Sequence, residues 1–96
     1  PDENRALGQQ IVDRVVAMLI NEAADAVLFG VASPADIDLA MTRGVNYPKG
    51  LLAWCDDIGA GTVLSQLDVL YDNYHEDRYR ASVLLRKKAQ LNESFL

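Results

Sequence analysis

Positions 9–29 contain neither glycine nor proline, and apolar residues recur through them at helical spacing. Leu7, Ile11, Val15, Leu19, Ala23 and Val27 follow one another at intervals of four, and Val12, Val16, Ile20, Ala24 and Leu28 form the neighbouring row. The pattern predicts one helix over 5–29, with Arg14, Asn21, Glu22 and Asp25 on the opposite side. At ~1.5 Å per residue it is on the order of 37 Å long. A chain of 96 residues needs no rod of that length for its own globule, so the other helices are expected to wrap it. Gly30 is the expected stop, where a left-handed residue closes the last turn.

The rest reads as three or four shorter helices. Ser33-Pro34-Ala35-Asp36 is a helix start: Ser33 can cap, Pro34 suits the first helical position, and Asp36 can reach back. Asp36 and Asp38 are expected in the first turn, where the dipole favours them, with Ile37, Ala40 and Met41 facing inward. Gly44 should end this helix with positive φ, so that Gly44→Ala would cost about 1 kcal/mol or more. Residues 44–50, with two glycines around an X-Pro step, cannot be helical throughout. Helices are expected over 51–58, closed by Gly59, over 62–74, and over 83–90 behind a Ser82 cap. Val63, Leu67, Leu70 and Tyr74 form the inner face of the second of these, and Arg86, Lys87 and Lys88 suit the C-terminus of the last. Asn92-Glu93-Ser94 reads as fraying. With no alternating strand pattern and no repeat, the fold class is all-α: a long central helix wrapped by three or four shorter ones.

The length allows one domain. Half of the residues are hydrophobic, but a domain of this size hides only roughly two-thirds of its unfolded surface. Help from a partner chain is therefore expected. Fourteen acidic against nine basic residues give a net charge of −5, which argues against nucleic acid as a partner and disfavours a helix-turn-helix DNA binder. No apolar run approaches a membrane span, and the polar Pro-Asp-Glu-Asn-Arg start is not a signal peptide. The single Cys55 cannot form an internal disulfide, which fits the cytosol.

Little in the chain can do chemistry. Gly59-Ala60-Gly61-Thr62 lacks the third small residue of a dinucleotide fingerprint, since Leu64 stands there, and a helix precedes it rather than a strand. It reads as a helix-to-helix turn. Asp72, His75 and Glu76 fall at i, i+3 and i+4, yet no fourth ligand is in sight, and beside Asp77, Arg78 and Arg80 they read as a solvated charged corner. His75 has no serine or cysteine to serve as a base. Cys55 precedes two aspartates, whose charge works against a thiolate. Trp54 with Leu51, Leu52 and Ile58 reads as core. Asp13, at the edge of the polar stripe near Val16, Ile20 and Val27, is either a salt-bridging surface residue or a group facing a cleft; periodicity leaves both open.

As a set, several strings resemble a known family. Ile11-Val12-Asp13-Arg14, Asn21-Glu22-Ala23, the run from Gly30 through Ser33-Pro34-Ala35-Asp36-Ile37-Asp38-Leu39-Ala40-Met41, and Gly44 to Gly59 with Tyr47-Pro48-Lys49-Gly50 and Asp56 occur in order. Over residues 5–90 the chain resembles the C-terminal domain of NAD-dependent 3-hydroxyacyl-CoA dehydrogenases. Active members usually carry Asn, in the catalytic cleft, where Asp13 stands. They usually have Gly-Pro where this chain has Gly50-Leu51. The Tyr-Pro-Lys-Gly form followed by Ala53-Trp54 is most similar to the second copy in enzymes with two such domains in tandem, such as bacterial enzymes of phenylacetate breakdown acting on 3-hydroxyadipyl-CoA.

The resemblance implies a helical lobe of the 6-phosphogluconate dehydrogenase C-terminal type. It implies an oxidoreductase parent of fatty-acid β-oxidation or phenylacetate degradation, with acyl-CoA as substrate and NAD as its cofactor. The family's catalytic His and Glu lie in a Rossmann domain that this chain lacks, and its Gly-rich aromatic end segment is absent after Leu91. The chain therefore reads as one domain, 1–96, of a longer enzyme, inert alone. It implies no catalytic residue in this chain beyond the position of Asp13, and no cofactor-binding or metal-binding residue. The implied partner is an identical chain or an equivalent lobe, through the family's dimer contact. The competing reading is a stand-alone helical dimerisation module with no catalytic role. A Rossmann domain encoded upstream would decide for the first.

Overall fold

The computed structural model describes residues 2–46 and 48–96, which form five α-helices and, among the described residues, no strand. Tyr47, from the expected Tyr-Pro-Lys-Gly string, lies outside the described residues. Helix α1 runs Asp2–Leu28, α2 Pro34–Gly44, α3 Leu51–Ile58, α4 Ala60–Tyr74 and α5 Val83–Leu91, with a 3-10 turn at Asp77–Tyr79. The 27 residues of α1 span ~40 Å, matching the longest dimension of the molecule, 40 Å. The all-α class and the central rod are as read from the sequence. Among the described residues no helix is long and apolar enough to cross a membrane.

The core lies on the C-terminal half of α1. Ala17, Ile20, Ala23 and Ala24 are buried there against Leu51, Leu52 and Cys55 of α3, Val63 and Leu67 of α4, and Leu85 of α5. Three alanines on α1 leave room for the other helices to approach closely, and the larger side chains come from the wrapping helices. The apolar face expected along the whole of α1 is thus only half used: Leu7, Ile11, Val12 and Val15 stand exposed. Asn21, expected on the outer polar side, is buried instead. Its Nδ2 donates to the Arg80 carbonyl at 2.8 Å and its Oδ1 accepts from the Ser82 N–H at 2.6 Å. One amide thereby satisfies a segment that would otherwise leave buried backbone groups unpaired.

The helix starts follow local rules. Ser33 Oγ accepts from the Asp36 N–H at 3.2 Å, and Ser82 Oγ from the Leu84 N–H at 3.2 Å. Each cap contributes about 1 kcal/mol. Gly30 closes α1 with φ +73°. Gly44 departs from expectation: it is the last helical residue of α2, and the left-handed position falls on Asn46, φ 60°. The turn there needs an amide-bearing residue two positions later rather than a glycine at the helix end. Helix α4 starts at Ala60 rather than 62, because Gly59 alone, at φ 99°, makes the joint and Gly61 joins the first turn. Of the inward set of α2, Ile37 and Met41 are half-buried while Ala40 is exposed. On α4, Val63 and Leu67 are buried, Leu70 is half-buried and Tyr74 is exposed.

Asp38 gives the sharpest correction. It does not serve the first turn of its own helix. It is buried, and its carboxylate accepts from the Leu52 N–H at 2.9 Å and the Ala53 N–H at 2.8 Å. Those are the second and third amides of α3, whose N-cap is Gly50, a residue with no side chain to reach them. Asp38 on α2 thus caps α3 from outside. A Cβ on Gly50 would collide with the Asp38 carboxyl. Gly50→Ala is therefore expected to cost about 1–3 kcal/mol through overpacking. Gly44→Ala meets open space at an ordinary helical φ and is expected to add about 0.4–1 kcal/mol. Urea midpoints of the two variants should move in opposite directions.

Candidate functional site

Asp13 projects from the exposed half of α1 and accepts a hydrogen bond from Gln9 Nε2 at 2.8 Å, one turn earlier. It stands on the wall of an open cleft of about 480 Å³ between α1 and α4, lined by Gln10, Asp13, Arg14, Ser65, Gln66 and Leu70 among others. A second, smaller recess begins on its other side, where Val12, Val16, Trp54, Ile58 and Gln66 close in. Asp13 is exposed and makes no ion pair among the described residues. Arg14 beside it donates to the Tyr74 hydroxyl at 3.4 Å and lies over the Tyr74 ring, 5.3 Å from its centroid. The rim is polar and the floor is apolar.

Each wall is placed by a device described above. Asp38 fixes the start of α3 and so aims Trp54 at α1. Gly59 turns the chain into α4, whose residues 65–70 form the far side. Trp54 is half-buried and Ile58 exposed, so the expected core quartet divides: Leu51 and Leu52 enter the core, while the other two line the recess.

The remaining candidates lie apart from this cleft. His75 ends α4 with a left-handed φ of 54° and meets the Tyr71 ring edge-on, centroids 5.7 Å apart. It is exposed with Asp72 and Glu76, and among the described residues no three metal-binding side chains cluster. Cys55 is fully buried under α1. Burial, with the charge of Asp56 adding to it, pushes its thiol up to about 12. A thiol held neutral cannot attack a substrate.

The turn at 59–62 does not fit a dinucleotide. It joins two helices, the Gly59 N–H is committed to the Cys55 carbonyl at 2.7 Å, and the hollow in front of it is bordered by Asp56, Lys88 and Glu93, with Lys88 and Glu93 paired at 3.8 Å. The cleft at Asp13 offers one carboxylate and several amides, which can orient a polar group against an apolar floor. It presents no nucleophile with a base beside it.

Sequence reasoning missed the second end of this region. Asp56 accepts from the Phe95 N–H at 2.8 Å and the Leu96 N–H at 3.0 Å, and Phe95 is buried in the core with Lys88 over its ring. The tail expected to fray is strapped down. An aromatic residue just beyond a polar run was the available signal.

The fold is an all-helical lobe with a half-covered central rod and an open cleft beside one acid. The profile of the family described as "3-hydroxyacyl-CoA dehydrogenase, C-terminal domain" matches residues 10–94, and the chain belongs to that family. It is 49% identical over 85 residues to the 3-hydroxyadipyl-CoA dehydrogenase of Escherichia coli (strain K12), covering 88% of this chain and 18% of the relative. With the 3-hydroxybutyryl-CoA dehydrogenase of Clostridioides difficile the identity is 41% over 83 residues, covering 86% of this chain and 30% of the relative. The crystal structure of 3-hydroxybutyryl-CoA dehydrogenase from Escherichia coli K12 superposes with a TM-score of 0.80 at 54% identity, over 81% of this chain and 16% of that one. The chain thus spans less than a third of the length of each of these relatives.

The state of Cys55 is testable. An unfolded thiol ionises above its ordinary value, whereas the folded one stays neutral until about 12. Its contribution to stability is therefore complete below pH ~8.5 and is lost as the pH rises from there. Ellman's reagent at pH 8 should label Cys55 only after urea unfolding, and the urea midpoint should fall between pH 9 and pH 11 by more in the native chain than in Cys55→Ala.

Proposed function

We propose that the chain is the helical lobe of a longer, NAD-dependent 3-hydroxyacyl-CoA dehydrogenase, acting in the cytoplasm in fatty-acid or phenylacetate degradation. In that parent it forms one wall of the acyl-CoA cleft and pairs with an equivalent lobe or an identical chain. The reaction oxidises the 3-hydroxyl to a 3-oxo group, which takes a base at that hydroxyl and a hydride acceptor beside it. This lobe supplies neither; NAD is held elsewhere in the parent.

The observation that carries the reading is the family match over residues 10–94, which spans less than a third of each relative's length; Asp13 lies on the wall of the α1–α4 cleft, at a position where the resemblance implies an Asn. A carboxylate there accepts hydrogen bonds where the amide both donates and accepts. The exchange suits a lobe that shapes the cleft and leaves the orienting of a reacting carbonyl to another copy. The half-covered α1 supports the pairing.

Two measurements test this. The isolated chain should form no NADH from 3-hydroxyacyl-CoA substrates at micromolar protein, while the full parent polypeptide does; turnover by the chain that survives purification overturns the lobe reading. Sedimentation equilibrium over a hundredfold range of concentration should show self-association, and a monomer mass throughout overturns the pairing.

A further inference from the structure

Helix α3 is tied at both ends by carboxylates, and the two ties differ. At its N-terminal end Asp38 is buried, so breaking its bonds to the Leu52 and Ala53 amides would strand a carboxylate away from water. At the C-terminal end the carboxylate belongs to α3 itself. Asp56 is half-buried and holds the N–H groups of Phe95 and Leu96 at 2.8 and 3.0 Å. Among the described residues, every hydrogen bond from 94–96 to the rest of the lobe ends on Asp56.

The segment held there is lightly anchored. Asn92 turns the chain out of α5 with a left-handed φ of 52°. A hollow of about 370 Å³ then lies between residues 92–94 and the start of α4 at Gly59, Ala60 and Gly61. Only the Phe95 side chain enters the core; Ser94 and Leu96 are exposed. Release therefore gives up the burial of one ring and leaves no polar group dry, because the Asp56 oxygens and both amides pass to water. A segment with so few buried contacts opens at a lower free energy than the whole lobe.

Trp54 stands on the other side of α3. It is two residues from Asp56, about 200° around the helix, and it lines the recess beside Asp13 together with Ile58. We propose that residues 92–96 are a strap that opens as a unit while the five helices stay folded, and that its opening loosens the last turn of α3 and unseats Trp54 from the recess. Asn92 is the pivot, Phe95 the plug and Asp56 the catch. Asp38 keeps the first turn of α3 in place throughout, so the motion is confined to the end that carries Trp54 and Ile58. The strap thus couples the far side of α3 to the wall of the recess, whatever enzyme the lobe serves.

Hydrogen exchange of the native chain tests the opening. The Phe95 and Leu96 amides should exchange at least about a hundredfold faster than those of Leu52 and Ala53, with little acceleration by low urea. Equal rates with the same urea dependence would mean that the strap leaves only when the lobe unfolds, and the proposal is overturned. Trp54 is the one tryptophan of the chain, so its fluorescence reports the coupling. Acrylamide quenching of Trp54 should rise about twofold in Phe95→Ala and in Asp56→Ala at unchanged far-UV helix content, and should stay as in the native chain in Glu93→Ala, a change at an exposed strap residue. Fast exchange at residues 95 and 96 in the native chain with native quenching in both folded variants overturns the coupling and leaves a strap that moves alone. Where a variant loses helix content, quenching of the native chain in low urea decides instead: a rise that precedes the loss of helix supports the coupling, and a rise coincident with it overturns it.

Discussion

The buried Asp38 carboxylate sets the arrangement of the lobe. Helix α3 has eight residues, too few to hold itself together in water. Its N-cap position is a glycine, which offers its free amides nothing. Asp38 supplies both acceptors from the neighbouring helix, and charge-assisted bonds of this kind contribute about 1.5–3 kcal/mol each. The negative charge also sits at the positive end of the α3 dipole. Gly50 is glycine because the capping carboxyl occupies the space of its side chain. With α3 fixed, Leu51, Leu52 and Cys55 reach the core of α1, and Trp54 is aimed at the recess beside Asp13.

The helices were legible because their signals are local. Ser33 and Ser82 cap where their spacing says they should, and Gly30 and Gly59 take the backbone conformations that end helices. What periodicity could not supply was the depth of burial along α1. The same four-residue row passes from exposed Leu7 to buried Ala23, because the wrapping helices reach only part of its length. Nor could it separate polar residues that face water from polar residues that hold the fold. Asn21, Asp38 and Asp56 each bond to backbone groups far along the chain, and no pattern of neighbours announces that. Of the candidate site, the sequence made Asp13 conspicuous as an acid at an apolar margin. The opposite wall, Ser65 to Leu70, belongs to a helix whose approach angle is a tertiary fact.

An acid, an arginine stacked on a tyrosine and a tryptophan lip make a surface that can shape a ligand without reacting with it. That division of labour suits a domain built from short helices around one rod. Rigid helices give well-placed walls, while the chemistry needs phosphate-cradling loops and a base.

Asn21 has a consequence for how the chain reaches this state. Its two partners, at residues 80 and 82, lie 59 and 61 positions away. The other helices can nucleate from neighbours in microseconds, but closing so large a loop is slower and costs entropy that only later contacts return. Within the lobe α1 precedes its partners in the chain, and its buried amide has none of them until the chain has grown past Ser82. The N-terminal half must therefore wait, unfinished, for the C-terminal half.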